Sequence, residues 1–485
     1  MYPKQQTFFV LGLSKSGLAA ATFLLSQGAN VFVHDDLTTD RIEKETATLV
    51  AKGARRVRKE DVSQVVDACD ALVLSPGIPI DHPLAVAFKR KGKAVIGETE
   101  IATRFMRCPI VAVTGTNGKT TTVSMISKIL NGGGYSAQAC GNIGEPMINF
   151  ASLNEDAVAV AEISSFQLET LNSLRAHVSV VLNVTEDHLN RHYTMENYVF
   201  LKRKLLKNST ETEYAVLNYD DTIVRGMAEK TKARILWFSV REKVKGAYYE
   251  NGGLYFNGEK ILQANEMLAG GLHNIQNALA SIAVAKLFRV ETATIRNALI
   301  AFKGIKHRVE TIGVIDGVTF INDSKGTNVD ATIKAAETMK TETVILLGGK
   351  NKGYDYAPLF SALQKQKIVH AILYGENRYA LLKSAREQGF QSVSVCEGFT
   401  LAVLIAKLIA KRGQNVLLSP ASASFDEFSS YEERGDKFVE IVRSFEENET
   451  KQEMANTQTE ICDEQSSENS EIGKVFEEKF LDDVE

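Results

Sequence analysis

The run Val111-Ala112-Val113-Thr114-Gly115-Thr116-Asn117-Gly118-Lys119-Thr120-Thr121-Thr122 constrains this chain more than any other stretch. An apolar strand enters a glycine turn, and the turn enters a helix whose apolar pattern is clearest over 123–130. That order is one βα unit of an α/β sheet. The turn and the helix N-terminus present backbone N–H groups, and the helix dipole adds positive potential, so the segment reads as a phosphate cradle. Lys119 can reach terminal phosphates, and the Thr120 hydroxyl suits Mg²⁺. The loop is shorter than the common GxxxxGK[ST] spacing, which makes it a variant rather than a standard nucleotide loop.

The same alternation recurs along the 485 residues, a length that suits about three domains of ~150 residues each. A first unit has a strand over 8–13, the turn Gly12-Leu13-Ser14-Lys15-Ser16-Gly17, a helix over 18–27 and a strand over 30–34 ending at Asp35-Asp36. This is half of a dinucleotide-type fold. Lacking a full GxGxxG, its turn suits a nucleotide or nucleotide-sugar diphosphate better than NAD. A second unit starts with the phosphate loop. It continues through strands near 157–162, 178–182, 214–217 and 235–238, a hairpin over 248–256 and a helix over 274–287. A third starts near His307-Arg308-Val309-Glu310, with strands near 319–322, 343–347, 371–374, 392–395 and 415–419. Strands alternating with helices predict parallel sheets. The expected class is α/β in three domains: Rossmann-like over 1–108, a P-loop ATPase-type mononucleotide-binding sheet over 109–307, and Rossmann-like over 308–447.

Composition sets further bounds. Hydrophobic residues are 44% and charged residues 24% of the chain, values of a globular enzyme. The apolar stretches are strand-length, too short to span a bilayer, and the N-terminus has no signal-peptide pattern. The five cysteines are scattered without a CxxC pair, as in a reducing compartment, and the expected location is the cytoplasm. Net charge is −4, yet residues 446–485 hold 14 acidic and 3 basic side chains, so the tail carries −11 and the remainder +7. The tail, 448–485, reads as a disordered acidic extension with a possible helix over 473–481. The mildly basic body is compatible with phosphate-rich substrates.

Ligands of open α/β sheets bind beyond the carboxyl ends of strands, so polar residues at those positions carry weight. Glu162 ends an apolar strand beside the phosphate loop, placed to bind Mg²⁺. His188 follows another strand, next to Asp187, as a second metal ligand or substrate contact. Lys202, within Lys202-Arg203-Lys204, reads on pattern alone as an exposed basic helix face. Asn274 and Asn277 open a helix. Asn274 could be its N-cap, or the two could read an adenine edge. Asn322-Asp323-Ser324-Lys325-Gly326-Thr327-Asn328 and Ser419-Pro420-Ala421-Ser422-Ala423-Ser424-Phe425-Asp426 both follow strands of the third unit.

Together these segments resemble the Mur ligases. The carriers are Thr114–Thr121, Glu162-Ile163-Ser164-Ser165-Phe166-Gln167-Leu168 and the two segments just quoted, and the resemblance runs from about Phe8 to about Phe445. It implies an ATP-dependent amide ligase with one domain each for a UDP-sugar substrate, ATP and an incoming amino acid. Within the family it points to the branch adding D-glutamate to UDP-MurNAc-L-Ala, since no Asp-Asn-Pro-Arg-type motif of the diaminopimelate- and lysine-adding branches occurs. Folate-adding relatives begin at the ATP domain, unlike this chain.

By the same resemblance Lys119, His188 and Lys202 are catalytic. ATP is held by Gly115, Thr116, Asn117, Gly118, Lys119, Thr120, Thr121, Asn274, Asn277, Arg308, Asp323 and Lys325. Two Mg²⁺ ions are held by Thr120, Glu162, His188 and Lys202, the last as its carbamate. The UDP-sugar is held by Ser14, Lys15, Ser16, Asp35, Ser75, Gly77 and Asn142, and D-glutamate by Thr327, Lys352, Ser424, Phe425 and Tyr431. The stretch Gly348-Gly349-Lys350-Asn351-Lys352-Gly353 departs from the family, which often has an Asp before its Lys. The resemblance also implies a monomer that neither inserts into membranes nor binds nucleic acid.

Overall fold

The computed structural model describes Lys4 and residues 6–268, 271–351 and 353–445. Lys352 and the acidic tail, with the helix expected at 473–481, lie outside the described residues. The described chain builds three sheets and divides into two compact units after Gly304.

The first unit holds two sheets. One has five parallel strands in the order Arg55–Arg56, Asn30–His34, Thr7–Leu11, Ala71–Leu74, Ala94–Ile96. The order reverses between Thr7–Leu11 and Ala71–Leu74, so a crevice opens beyond Leu11 and Leu74, beside Ser14 and Ser75. The helix after the first strand spans Lys15–Ser26 and begins three residues earlier than its apolar pattern suggests.

The other sheet has nine strands. Ile110–Thr114 is flanked by Ala157–Glu162 and Val178–Val181, both parallel to it. All six residues of Ala157–Glu162 are buried, as expected of a parallel strand covered on both faces. The loop's helix is longer than its apolar pattern, spanning Lys119–Gly132. It buries Val123, Ile126, Ile129 and Leu130.

The hairpin expected over 248–256 is present, and a third strand extends it. Gly246–Glu250, Gly253–Phe256 and Glu259–Gln263 form an antiparallel meander. Asn251-Gly252 and Asn257-Gly258 all take positive φ, the requirement of tight primed hairpin turns. The second Asn-Gly is the signal for the unexpected third strand. Ser136–Gly141, at the far edge, was also not anticipated.

One continuous core joins the two sheets, running from Phe8, Val10 and Ile101 to Ile110, Ala159 and Leu168. Helix Glu98–Phe105 packs on the short turn Met147–Phe150, and the Ile148 amide donates to the Glu98 carboxylate at 2.5 Å. Burial pushes the Glu98 pKa up to about 7.

The second unit has a six-stranded sheet: Glu310–Ile315, Val318–Asn322, Asn415–Leu418, Thr343–Gly348, Ile368–Tyr374, Val393–Val395. Only the edge strand Glu310–Ile315 is antiparallel, joined through Asp316-Gly317, both at positive φ. The helix after Asn328 ends at Glu337, and the Asn328 side chain caps it by accepting from the Ala331 amide. A closing helix covers 431–445. No helix among the described residues is long and apolar enough to cross a membrane.

Candidate active site

The phosphate loop sits where three strand ends meet. Gly115 and Gly118 have φ of 156° and 85°. A Cβ on Gly118 would lie 2.4 Å from Asn277 Oδ1, and one on Gly115 would lie 2.9 Å from Leu182 Cβ. Only glycine allows this approach. Asn183 braces the loop from the neighbouring strand end, its Oδ1 accepting from the Asn117 amide at 2.8 Å and its Nδ2 donating to the Asn117 carbonyl. Thr116 Oγ1 donates to the Thr185 carbonyl and lies 3.2 Å from the Tyr198 hydroxyl. Lys119 Nζ donates to the Gly115 and Thr116 carbonyls at 2.8 Å each, so the ammonium folds back over the loop. The buried Thr121 hydroxyl has no hydrogen-bond partner. A glycine turn with positive φ at Gly115 and Gly118, feeding the N-terminus of helix Lys119–Gly132 with a lysine folded over the loop, fits a bound polyphosphate.

Glu162 is 2% exposed. One carboxylate oxygen accepts from Thr120 Oγ1 at 2.8 Å and the other from Asn142 Nδ2 at 2.9 Å. Thr120, Glu162 and Asn142 therefore form an oxygen-rich cluster beside the loop, a donor set that suits a hard cation. His188 stands at positive φ, its ring 3.5 Å from an Asp187 oxygen and its centroid 4.8 Å from that of Phe166. No group of three or more His, Cys, Asp or Glu among the described residues could hold a metal ion. A cation here would need hydroxyl or phosphate oxygens, or a modified lysine, beside Glu162.

Lys202 is the clearest correction. Its pattern suggests an exposed basic face, but it is 1% exposed, on the inner side of helix Met195–Arg203. Its ammonium lies 4.4 Å from the Tyr198 ring centroid. Burial lowers its pKa well below the ordinary lysine value, and the Lys119 charge lowers it further, while Asp187 opposes them.

Asn274 is not a helix cap. The helix starts at Leu272 with Gly271 at the cap position, and Asn274 Oδ1 lies 3.5 Å from Asn277 Nδ2. The buried Asn277 Oδ1 accepts from Thr122 Oγ1 at 3.3 Å, tying this helix to the phosphate-loop helix.

At the sheet crevice of the first domain, Ser14 Oγ and Ser75 Oγ lie 2.7 Å apart across the switch point. Asp35 accepts from the amides of Leu13 and Leu37 and so fixes the turn. Lys15 Nζ donates to the Gly144 carbonyl at 2.6 Å and pairs with Glu145 at 3.1 Å. This brings the first turn against Gly141-Asn142-Ile143-Gly144.

In the second unit, Asp323 is the centre of a buried network. It accepts from Ser419 Oγ at 2.7 Å and from the Val309 amide at 3.2 Å. Burial pushes its pKa up to about 6, against the hydrogen bond from Ser419 and the Arg308 charge. Arg308 Nε is buried without a partner. Lys325 Nζ donates to the Tyr431 hydroxyl at 3.1 Å.

Sequence reasoning missed Arg434, which is fully buried. Its guanidinium donates to Ser324 Oγ, the Ser324 carbonyl and the Ser422 carbonyl, fastening the 322–328 loop to the 419–426 loop. Nothing in its local sequence, Glu433-Arg434-Gly435, separates it from a surface arginine. Ser424 is buried in this pair of loops, whereas the Phe425 ring is 68% exposed.

Comparison with known families adds the decisive observation. Three family models match in order: the MurD-like N-terminal domain over residues 6–97, the Mur ligase middle domain over 113–285, and the Mur ligase glutamate ligase domain over 307–422. The chain belongs to the Mur ligase family.

Among Mur ligase relatives, the UDP-N-acetylmuramoylalanine--D-glutamate ligase of Pelotomaculum thermopropionicum is 42% identical over 441 residues, covering 90% of this chain and 97% of the relative. The enzyme of the same name from Clostridioides difficile is 36% identical over 447 residues, with 91% and 99% covered. Two solved Mur ligases share the fold. UDP-N-acetylmuramate-alanine ligase MurC from Thermotoga maritima matches with a TM-score of 0.59, 19% identity and 90% and 99% coverage. MurF ligase from Thermotoga maritima in complex with ADP matches with a TM-score of 0.57, 16% identity and 92% and 96% coverage.

Proposed function

We propose that this Mur ligase adds D-glutamate to UDP-N-acetylmuramoyl-L-alanine at the expense of ATP, as a cytoplasmic monomer. The observation that carries the reading is the phosphate loop with Thr120 and Glu162 hydrogen-bonded beside it. The substrate pair comes from the relatives, which carry that activity in their names over nine-tenths of this chain.

ATP phosphates lie against the amides of Gly115–Thr121, and Lys119 exchanges its loop carbonyls for phosphate oxygens. Asn274 and Asn277 face the adenine, with Arg308, Asp323 and Lys325 as further ATP contacts. Ser14, Lys15, Ser16, Asp35, Ser75, Gly77 and Asn142 hold the UDP-sugar. The substrate carboxylate attacks the γ-phosphorus, breaking its bond to the β-phosphate bridge and yielding an acyl phosphate and ADP. The D-glutamate amine then attacks the acyl carbon, and phosphate leaves as the amide forms. Thr327, Lys352, Ser424, Phe425 and Tyr431 orient that amino acid.

Thr120, Glu162, His188 and Lys202 would hold two Mg²⁺ ions, whose chemistry when bound is to neutralise phosphate charge. Lys202 suits this role because burial disfavours the charged form of its amine. It can then add CO₂ and lose a proton to become a carbamate, an oxygen ligand.

Phosphate release in the presence of ATP, UDP-MurNAc-L-Ala and D-glutamate tests the reading. Lys119→Ala is expected to lower it by about a hundred- to a thousandfold, the scale for removing one charge-stabilising donor. Unchanged turnover in that variant would sink the mechanism.

A further inference from the structure

Arg191 makes contacts that the chemistry just described does not use. It lies in the single turn Leu189–His192, three residues beyond His188. Its side chain is 11% exposed and reaches two partners at once. Toward the first sheet it donates to the carbonyls of Pro76 (3.3 Å), Gly77 (3.3 Å) and Ile78 (2.8 Å), the turn that follows strand Ala71–Leu74. Toward the second sheet it donates twice to Glu169, at 3.0 and 2.6 Å, in the planar fork geometry only arginine provides.

Glu169 continues the chain of contacts. Its Oε1 lies 3.4 Å from His192 Nδ1. The buried His192 ring stacks on Tyr198 at 5.4 Å, and the Tyr198 hydroxyl reaches Thr116 of the phosphate loop. A second branch is aromatic: the Arg191 guanidinium lies 4.8 Å from the Phe166 centroid, and Phe166 lies 4.8 Å from His188. Every link is a packed or hydrogen-bonded contact within one compact unit.

We infer that Arg191 is a positioning residue that couples occupancy of the 75–78 turn to the phosphate loop and His188. Three carbonyls of that turn converge on one guanidinium, so displacement of the turn by a ligand must move Arg191 or strain its bonds to Glu169. Such a shift reaches Thr116 through His192 and Tyr198, and reaches His188 through Phe166. The inference rests on the reading that the UDP-sugar binds at this turn and ATP at the loop. Coupling between two sites is reciprocal and commonly amounts to 5- to 150-fold in affinity.

The test measures the dissociation constant of a non-hydrolysable ATP analogue with and without saturating UDP-MurNAc-L-Ala, in the full chain, together with steady-state turnover. The parent is expected to bind the analogue at least fivefold tighter with the UDP-sugar present. Arg191→Lys keeps the charge but cannot hold the fork and three carbonyls together. It is expected to bring that ratio within twofold of unity and to raise KM for the UDP-sugar at least tenfold, while the analogue alone binds as in the parent. Glu169→Gln, which leaves Arg191 in place but removes its charged anchor, is expected to reduce the ratio in the same direction. A parent ratio of one, or a ratio retained in both variants, overturns the coupling even if the enzyme turns over. Failure of the parent to bind UDP-MurNAc-L-Ala at all overturns the functional reading as well, and is seen separately in the turnover assay.

Discussion

Individual side chains in this molecule take their roles from burial that their local sequence does not announce. Lys202 and Arg434 sit in segments rich in charged residues, which on pattern alone face water. Local spacing records which helix face a residue occupies, not what later chain segments cover that face. Lys202 was recoverable only through its resemblance to a family position, and Arg434 not at all. By contrast Lys119 and Thr120 were legible because a strand–glycine–lysine order fixes their placement, and Glu162 because it ends an apolar strand of the same α/β sheet.

Two expectations follow at this scale. Lys202→Ala should lose most activity, and short carboxylic acids, which can occupy the vacated space as oxygen ligands, should restore part of it. Full activity of the variant would remove the carbamate from the mechanism. For Asp323 the sign runs against the usual carboxylate. Its folded pKa, about 6, is above the ordinary 3.8, so the native state holds the proton more tightly than the unfolded one. Its contribution to stability is therefore greatest below pH 3.8 and is lost as pH rises to about 6. The difference of roughly two units corresponds to about 3 kcal/mol. Asp323→Asn should raise the melting temperature at pH 7 and flatten its dependence between pH 4 and 6, which thermal melts across that range would read. A variant less stable at pH 7 than the parent would contradict the assignment.

At the scale of elements, the central strands and the helix after the phosphate loop were readable, and several edge strands and most element ends were not. Helix Lys119–Gly132 starts well before its apolar pattern because the first turn, Lys119-Thr120-Thr121-Thr122, is spent on the loop and its neighbours rather than on the core. Strands Ser136–Gly141, Glu259–Gln263 and Glu310–Ile315 went unanticipated because each lies at a sheet edge, where polar residues interrupt the apolar run. The phosphate loop depends on backbone shape as much as on side chains. Gly118→Ala must accept φ of 85° and a Cβ 2.4 Å from Asn277 Oδ1. The conformation alone costs about 1–2 kcal/mol. The variant should fold with a lowered melting temperature and bind ATP poorly, and isothermal titration with ATP would show whether it does. Parent-like ATP affinity would mean the loop is not the nucleotide site.

At the scale of the whole molecule, three αβ stretches were visible in the alternation of strands and helices, each becoming one sheet. That the first two share a core was not visible. Their shared contacts, such as Ile148 with Glu98 and Gly144 with Lys15, join residues 50 and 129 positions apart. The use of a nucleotide polyphosphate rests on the phosphate loop and its metal-suited oxygens, and the ligation and the amino acid joined rest on the Mur ligase family match and relatives. The most direct measurement is phosphate release with ATP and UDP-MurNAc-L-Ala across a panel of amino acids. The account predicts turnover with D-glutamate, and little or none with L-glutamate, L-lysine or diaminopimelate. Equal turnover with L-lysine or diaminopimelate, or release only with a folate acceptor, would contradict it.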